Sequence, residues 1–296
     1  MTTEPTSPKD PATVATPRRP RPRHLDALAE ALRRATPTPS AVDHSRDTLG
    51  RLLIEGPLAA PSTEPCAATV LRADAWDQDG RGPEPGAPAR TLAAEMDPWP
   101  DGAGDRPLLP LLAWSLQDEG EEMELVLAGL EAGRRLTTLG ASILLGPPLR
   151  PGAWRGTAEL TALASASFLH GLQAAGVTAI VDGFPAASDA DLASELRAFP
   201  HAFAHGVDAV RLDVADADAA AEACRALRDG LGFIGVIVGR TAVPGDVPDW
   251  IAAGCDAVQT TDPTAALDAL TDGADRLPPR RLRDALARTS VFFTPA

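Results

Sequence analysis

A single lysine, Lys9, stands among 27 basic residues, and the chain has no asparagine and no tyrosine. Schiff-base catalysis needs a buried lysine amine, and Lys9 falls in a Pro- and Thr-rich stretch, so that chemistry is excluded. The bias itself is that of a GC-rich bacterial genome. Cysteine is scarce too: Cys66, Cys224 and Cys255 are far apart, odd in number and without a CxxC pair, which argues against a zinc site or a disulfide framework. Buried reduced thiols, no metal and no cofactor are expected. Positive charge is short, with a formal net charge of −14, and both nucleic acid and an anionic membrane call for a cationic face. Neither is expected as a partner. No run has the length of a signal-peptide core or a membrane span, so a cytoplasmic location is expected. There is no GxSxG elbow and no P-loop, and no GxGxxG follows a strand.

What the sequence does hold is apolar content of 44%, ample for a large core. Residues 1–23, rich in Pro, Thr and Arg, read as a disordered tail, and 24–296 as the folded domain. Leu25, Leu28 and Leu32 have helical spacing. Eight β-rich runs follow, at 51–56, 67–72, 91–97, 141–146, 177–183, 207–213, 233–239 and 255–261. Segments 121–140, 157–176 and 218–232 have helical periodicity, and each ends in a glycine suited to a C-terminal cap. The alternation predicts an α/β protein, a single-domain TIM-type (β/α)8 barrel with shortened loops.

In such a barrel, ligands meet the C-terminal ends of the strands. Arg72, Asp74, Asp97, Arg150, Asp182, Asp213, Arg240 and Asp262 fall there, with Trp99 in a neighbouring loop, and Trp154 in another. Alternation along 207–213 places Ala209, Arg211 and Asp213 on one face. The pair His201 and His205 has i, i+4 spacing but no third ligand close by, and a surface helix end is the simpler reading. The acidic run 118–124 opens a helix, where negative charge suits the dipole.

The order of segments resembles the N-terminal barrel domain of family 3 glycoside hydrolases, the group that contains β-N-acetylglucosaminidases. LGRLLIEGPL (49–58) is similar to that family's opening strand, and LAAEMDPWPDG (92–102) stands where the family has a strand ending in Asp-Gln-Glu-Gly-Gly. LEAGRRLTTLGASILLGPPLRP (130–151) resembles the approach to Ala-Pro-Val-Leu-Asp-Val. ASFLHGLQAAGVTAIVDGFP (166–185) resembles the helix and strand before Lys-His-Phe-Pro-Gly-His-Gly. AFAHGVDAVRLDV (202–214), LRDGLGFIGVIVGR (227–240) and IAAGCDAVQTTDP (251–263) complete the series.

The resemblance implies a sugar-cleaving site, yet its functional positions differ here. The family's nucleophilic aspartate is matched by Arg240, a guanidinium that cannot serve as a carboxylate nucleophile. The Lys-His pair is matched by Asp182 and Gly183, and the aspartate of Ala-Pro-Val-Leu-Asp by Arg150. The Gly-Asp-Arg-Ser-Phe-Gly stretch and the loop bearing an Asp-His acid/base dyad have no counterpart, and Asp97 alone remains of the polar sugar-binding set. Retaining glycosidases need a nucleophile and a proton donor on opposite sides of the scissile bond. The expectation is therefore a catalytically inactive homologue, a pseudo-glycosidase that binds a ligand or protein partner. Asp97, Trp99, Arg150, Asp182, Asp213 and Arg240 are the candidate ligand-binding residues. Two alternatives stand beside it: an enzyme with a relocated acid/base site acting on a sugar-like or anionic small molecule, and a residual β-N-acetylhexosaminidase-like glycosidase. Salt bridges between Asp182 and Arg150 or Arg240 would close the mouth, whereas an open arginine pocket would take a phosphate or carboxylate.

Overall fold

The computed structural model describes residues 43–58, 64–71, 92–95, 122–138, 140–149, 158–185, 199, 200, 203 and 207–293, with Glu30. The predicted tail 1–23 lies outside these residues, as does the helix around Leu25 to Leu32 apart from Glu30.

All eight predicted β-rich runs contain a strand: β1 Leu53–Leu58, β2 Ala68–Leu71, β3 Leu92–Glu95, β4 Ala141–Pro148, β5 Thr178–Pro185, β6 Ala209–Asp213, β7 Val236–Arg240 and β8 Ala257–Thr260. Each is parallel to the next and β8 pairs with β1, so the sheet curls round on itself. Helices α1 Arg46–Gly50, α2 Glu122–Thr138, α3 Ala158–Ala174, α4 Ala217–Arg225, α5 Val247–Ala253, α6 Pro263–Gly273 and α7 Pro279–Phe292 accompany it. The regular strand-helix repeat of a (β/α)8 barrel is nevertheless not what the described residues show. Only residues 59–67 separate β1 from β2, too short a stretch for the crossover helix that ordinarily joins parallel neighbours.

The strands carry two apolar faces because both sides of a parallel sheet are covered. Ile54, Val70, Ile143, Leu145, Ile180, Ala209, Val236, Val238 and Ala257 form the inner cluster, and Phe292 and Phe293 at the end of α7 join it. Leu53, Leu144, Val181, Val210, Leu212, Ile237 and Val258, on the alternate positions, pack outward with residues of the helices, among them Phe168, Leu172, Trp250 and Leu267. The three predicted glycine caps adopt the left-handed conformation that favours glycine, with φ of 81° at Gly140, 83° at Gly176 and 64° at Gly232. Cys224 and Cys255 are free and buried, and Cys66 is free and half-buried.

At the pole where the strands begin, Asp256 is fully buried directly before β8. It accepts from the backbone N–H of Ile237 at 2.9 Å, from Arg228 at 2.5 Å, and from Arg281 and Arg288 of α7 at 3.0 Å each. Burial opposes its charge, but the three guanidinium groups and the Ile237 N–H hold its carboxyl below the ordinary range. Asp208, directly before β6, has no such company. It is 4% exposed, its Oδ1 has no hydrogen-bond partner, and burial pushes its carboxyl up to about 7.

Helices α2 and α3 meet backbone to backbone where Gly171 faces the Val126 carbonyl, and a Cβ at Gly171 would collide with that oxygen. Gly171→Ala is expected to destabilise by about 2 kcal/mol, read from urea unfolding. Asp208 gives a second expectation. Because folding raises its pKa from 3.8 to about 7, the folded state keeps a proton that the unfolded chain has already released in this window. Stability therefore falls as pH rises from about 4 to about 7. Asp208→Asn is expected to remove that contribution to the slope and to exceed the parent at pH 8 by on the order of 2–4 kcal/mol. Parallel unfolding series at pH 4 and pH 8 check it.

Candidate functional site

The inner face changes from apolar to polar one step before the strands end. On β6 the inward positions run Ala209, Arg211, and on β8 Ala257, Gln259, a small residue followed by a long polar one in each case. On β5 the inward Ile180 is followed by Asp182, where the pairing with both neighbours shifts: Val181 opposes Val210 but Phe184 opposes Leu212, and Leu145 opposes Ile180 but Pro148 opposes Asp182. A bulge of this kind bends the strand and re-aims a side chain. Gly183 permits it, with φ of 92°, and its N–H donates to Asp182 Oδ1 at 2.9 Å.

The re-aimed carboxylate meets Arg211 in a two-point contact. Arg211 Nε donates to Asp182 Oδ1 at 2.9 Å and Nη2 to Oδ2 at 2.7 Å, the paired geometry in which a guanidinium binds a carboxylate most strongly. The Arg211 side chain is 4% exposed and that of Asp182 29%, so the pair sits at the floor of the mouth with its acidic side toward solvent. Arg211 Nη1 donates to Gln259 Oε1 at 2.8 Å, and Gln259 Nε2 donates to the Gly56 carbonyl at 3.2 Å. One network thus links β5, β6, β8 and β1 across the barrel interior.

The expected salt bridge of Asp182 is present, but with a different partner. Arg211 is that partner among the described residues, where Arg240 makes no pair with Asp182 and Arg150 is not included. Arg240 closes β7 on the same face as Val236 and Val238 and pairs in register with Gln259. It is exposed, and its guanidinium has no hydrogen-bond or ion-pair partner among the described residues. Asp213 is also exposed at the rim, opposite Pro185, on the face that strand alternation gave it. Asp262 leaves the site altogether: its carboxylate accepts from the Ala265 N–H at 3.0 Å and caps α6. Asp97, Trp99, Arg150, Arg72, Asp74 and Trp154 lie outside the described residues, as do His201 and His205.

Arg211 and Gln259 are the site residues the candidate set omitted. Their signal was present: each interrupts an apolar strand at an inward position, where an unpartnered polar group would be costly. Glu55 of β1 is a third. It is fully buried and accepts from Thr69 Oγ1 at 2.9 Å, and it lies on the outward face of β1 with Leu53, away from the Arg211 network.

Chemically the arrangement is a held carboxylate at the end of β5 and an exposed guanidinium at the end of β7. Arg211→Met is expected to cost about 3–5 kcal/mol in urea unfolding, because it leaves Asp182 and Gln259 without their partner. The double variant Arg211→Met with Asp182→Leu is expected to recover part of that loss.

No family model and no curated protein matches the sequence. Solved structures do. The fold is similar to a glycoside hydrolase family 3 β-N-acetylglucosaminidase from Paenibacillus sp. str. FPU-7, at 18% identity and a TM-score of 0.63, over 83% of this chain and 61% of that one. It is also similar to a β-N-acetylhexosaminidase from Beutenbergia cavernae DSM 12333, at 18% identity and a TM-score of 0.62, over 84% of this chain and 98% of that one. A glycosyl hydrolase family 3 member from Mycobacterium smegmatis str. MC2 155 matches at 16% identity and a TM-score of 0.64, over 83% of this chain and 96% of that one. This chain thus spans about three fifths of the Paenibacillus enzyme and nearly all of the other two. At such identities the likeness is one of fold, and the chain has the fold shared by these family 3 glycosidases.

Proposed function

We propose that this chain is a binding protein on a family 3 glycosidase frame, a single-domain variant of the (β/α)8 barrel with shortened loops, that does not cleave glycosides. Its ligand is a polar or anionic small molecule, or a protein partner presenting such a group, engaged at the mouth beside Arg240. The observation that carries this reading is the Asp182–Arg211 pair: the mouth carboxylate with a described partner is held at two points by one edge of a guanidinium. Resemblance adds that Arg240 stands where the family has its nucleophile, and a guanidinium forms no glycosyl-enzyme bond. Function resides in the site, so the shared fold does not restore the missing groups. Since Arg211 already satisfies Asp182, Arg240 is left available to a ligand, which favours an open binding surface over a mouth sealed by that arginine.

Two assays test the proposal. Aryl N-acetyl-β-glucosaminides and aryl β-glucosides are expected to show no turnover above the uncatalysed rate at micromolar protein. Hydrolysis abolished by Asp97→Ala would overturn the proposal in favour of residual glycosidase activity. In a melting-temperature screen of sugars, amino sugars and phosphorylated or carboxylated metabolites, a ligand of the native state raises Tm by mass action. A saturable rise that disappears in Arg240→Gln supports the reading, whereas a ligand insensitive to that change does not occupy the proposed mouth.

A further inference from the structure

The pole opposite the mouth holds an imbalance of charge. Arg228, Arg281 and Arg288 all contact Asp256, so three positive groups face one negative group and the cluster carries a net +2. These are not surface arginines: their side chains are 20%, 17% and 14% exposed. Several of their donors are used within the fold: besides the contacts to Asp256, Arg228 Nη1 donates to the carbonyls of Phe233 and Gly235 at 2.7 Å each, and Arg281 Nε donates to the Ile251 carbonyl at 3.0 Å. Two buried nitrogen atoms, Arg281 Nη2 and Arg288 Nε, have no hydrogen-bond partner among the described residues.

Orphaned donors on buried charged groups are costly, and here there are two of them on neighbouring side chains. Arg281 and Arg288 stand seven residues apart on α7, two turns along one face, and both place Nη1 at 3.0 Å from the same oxygen, Asp256 Oδ1. Their unpaired N–H groups therefore belong to adjoining guanidinium planes. Crowding among the cations is visible on Arg228, whose pKa is pulled down by burial and by Arg288 and Arg281 against the opposing pull of Asp256. An anion that accepted from the two orphans would satisfy both and offset the surplus charge. A dianionic oxyanion matches the surplus in magnitude, and the guanidinium fork matches it in shape.

We infer that the pole where the strands begin holds an oxyanion site in which Arg281 and Arg288 of α7 bind a small dianion, phosphate or sulfate, beside Asp256. The site is separate from the mouth and does not depend on the function proposed for it. It ties ligand binding to the docking of α7, since both ligating arginines lie on that helix.

The test is calorimetric titration of the full chain with inorganic phosphate and with sulfate, at ionic strength held constant with sodium chloride, accompanied by melting curves. The expected result is saturable one-to-one binding, with Tm raised by about 5 °C at a hundredfold excess over Kd. Arg288→Gln is expected to weaken binding at least about tenfold, while Arg280→Gln, on the exposed side of the same helix, leaves it unchanged. If Arg288→Gln does not fold, Arg288→Lys replaces it, keeping a positive charge near Asp256 while removing the Nε donor, with the same expected loss. Absence of saturable binding to the parent overturns the inference. So does binding that survives the Arg288 variant, since the anion would then sit elsewhere.

Discussion

The buried carboxylate of Asp256 is the constraint on which the second half of the molecule depends. A fully desolvated charge is tolerable only when it is paired and hydrogen-bonded, so every partner it recruits is held to one geometry. Those partners come from four places: the turn after α4 through Arg228, β7 through the Ile237 N–H, and both halves of α7 through Arg281 and Arg288. Arg281 reaches α5 as well, through the Ile251 carbonyl. With α7 fixed in this way, Phe292 and Phe293 reach the inner apolar cluster. The pole is thus organised by a single acid, and the apolar packing follows from the position that acid imposes.

The mouth is built on the opposite balance. There the organising group is a cation, Arg211, and its partners among the described residues include one carboxylate and one amide, Asp182 and Gln259. Such a buried polar layer gains less than apolar packing of the same volume would, because desolvation of both ions offsets much of their attraction. What it provides is definition: a bulged β5, a specific register of β6 against it, and an interior whose top is polar while its middle is Val, Ile and Ala. A glycosidase on this frame would use mouth carboxylates as reacting groups. In this chain the Asp182 carboxylate is paired with Arg211, and Arg240 is exposed at the end of β7.

Much of the fold was legible in the sequence. Eight β-rich runs and three glycine-terminated helical segments coincide with the observed elements, because apolar periodicity and the left-handed preference of glycine act locally and leave local marks. The likeness to family 3 glycosidases was legible in the order of those segments, where identities of 16–18% to solved relatives leave little else to read. The site was only partly legible. Asp182 and Arg240 were named from their place at strand ends, and Asp213 from alternation, but Asp262 sits at a strand end solely because it caps the helix that follows. Strand-end position cannot separate a cap from a ligand-binding group, since both uses put a charged side chain where chain meets solvent.

By itself, the sequence determined the number and order of the strands, which faces of them are apolar, and where the helices stop. Each of these is a property of a residue or a short window. Tertiary structure decided which charges meet. Arg211 lies 29 residues from Asp182 and 48 from Gln259, and Asp256 lies 28, 25 and 32 residues from its three arginines. Such pairings depend on curvature of the sheet, on the bulge at Gly183 and on the docking of α7, none of which any one segment encodes. That is why the fold could be read from the chain in order, while the partner of Asp182 could be assigned only once the strands were side by side.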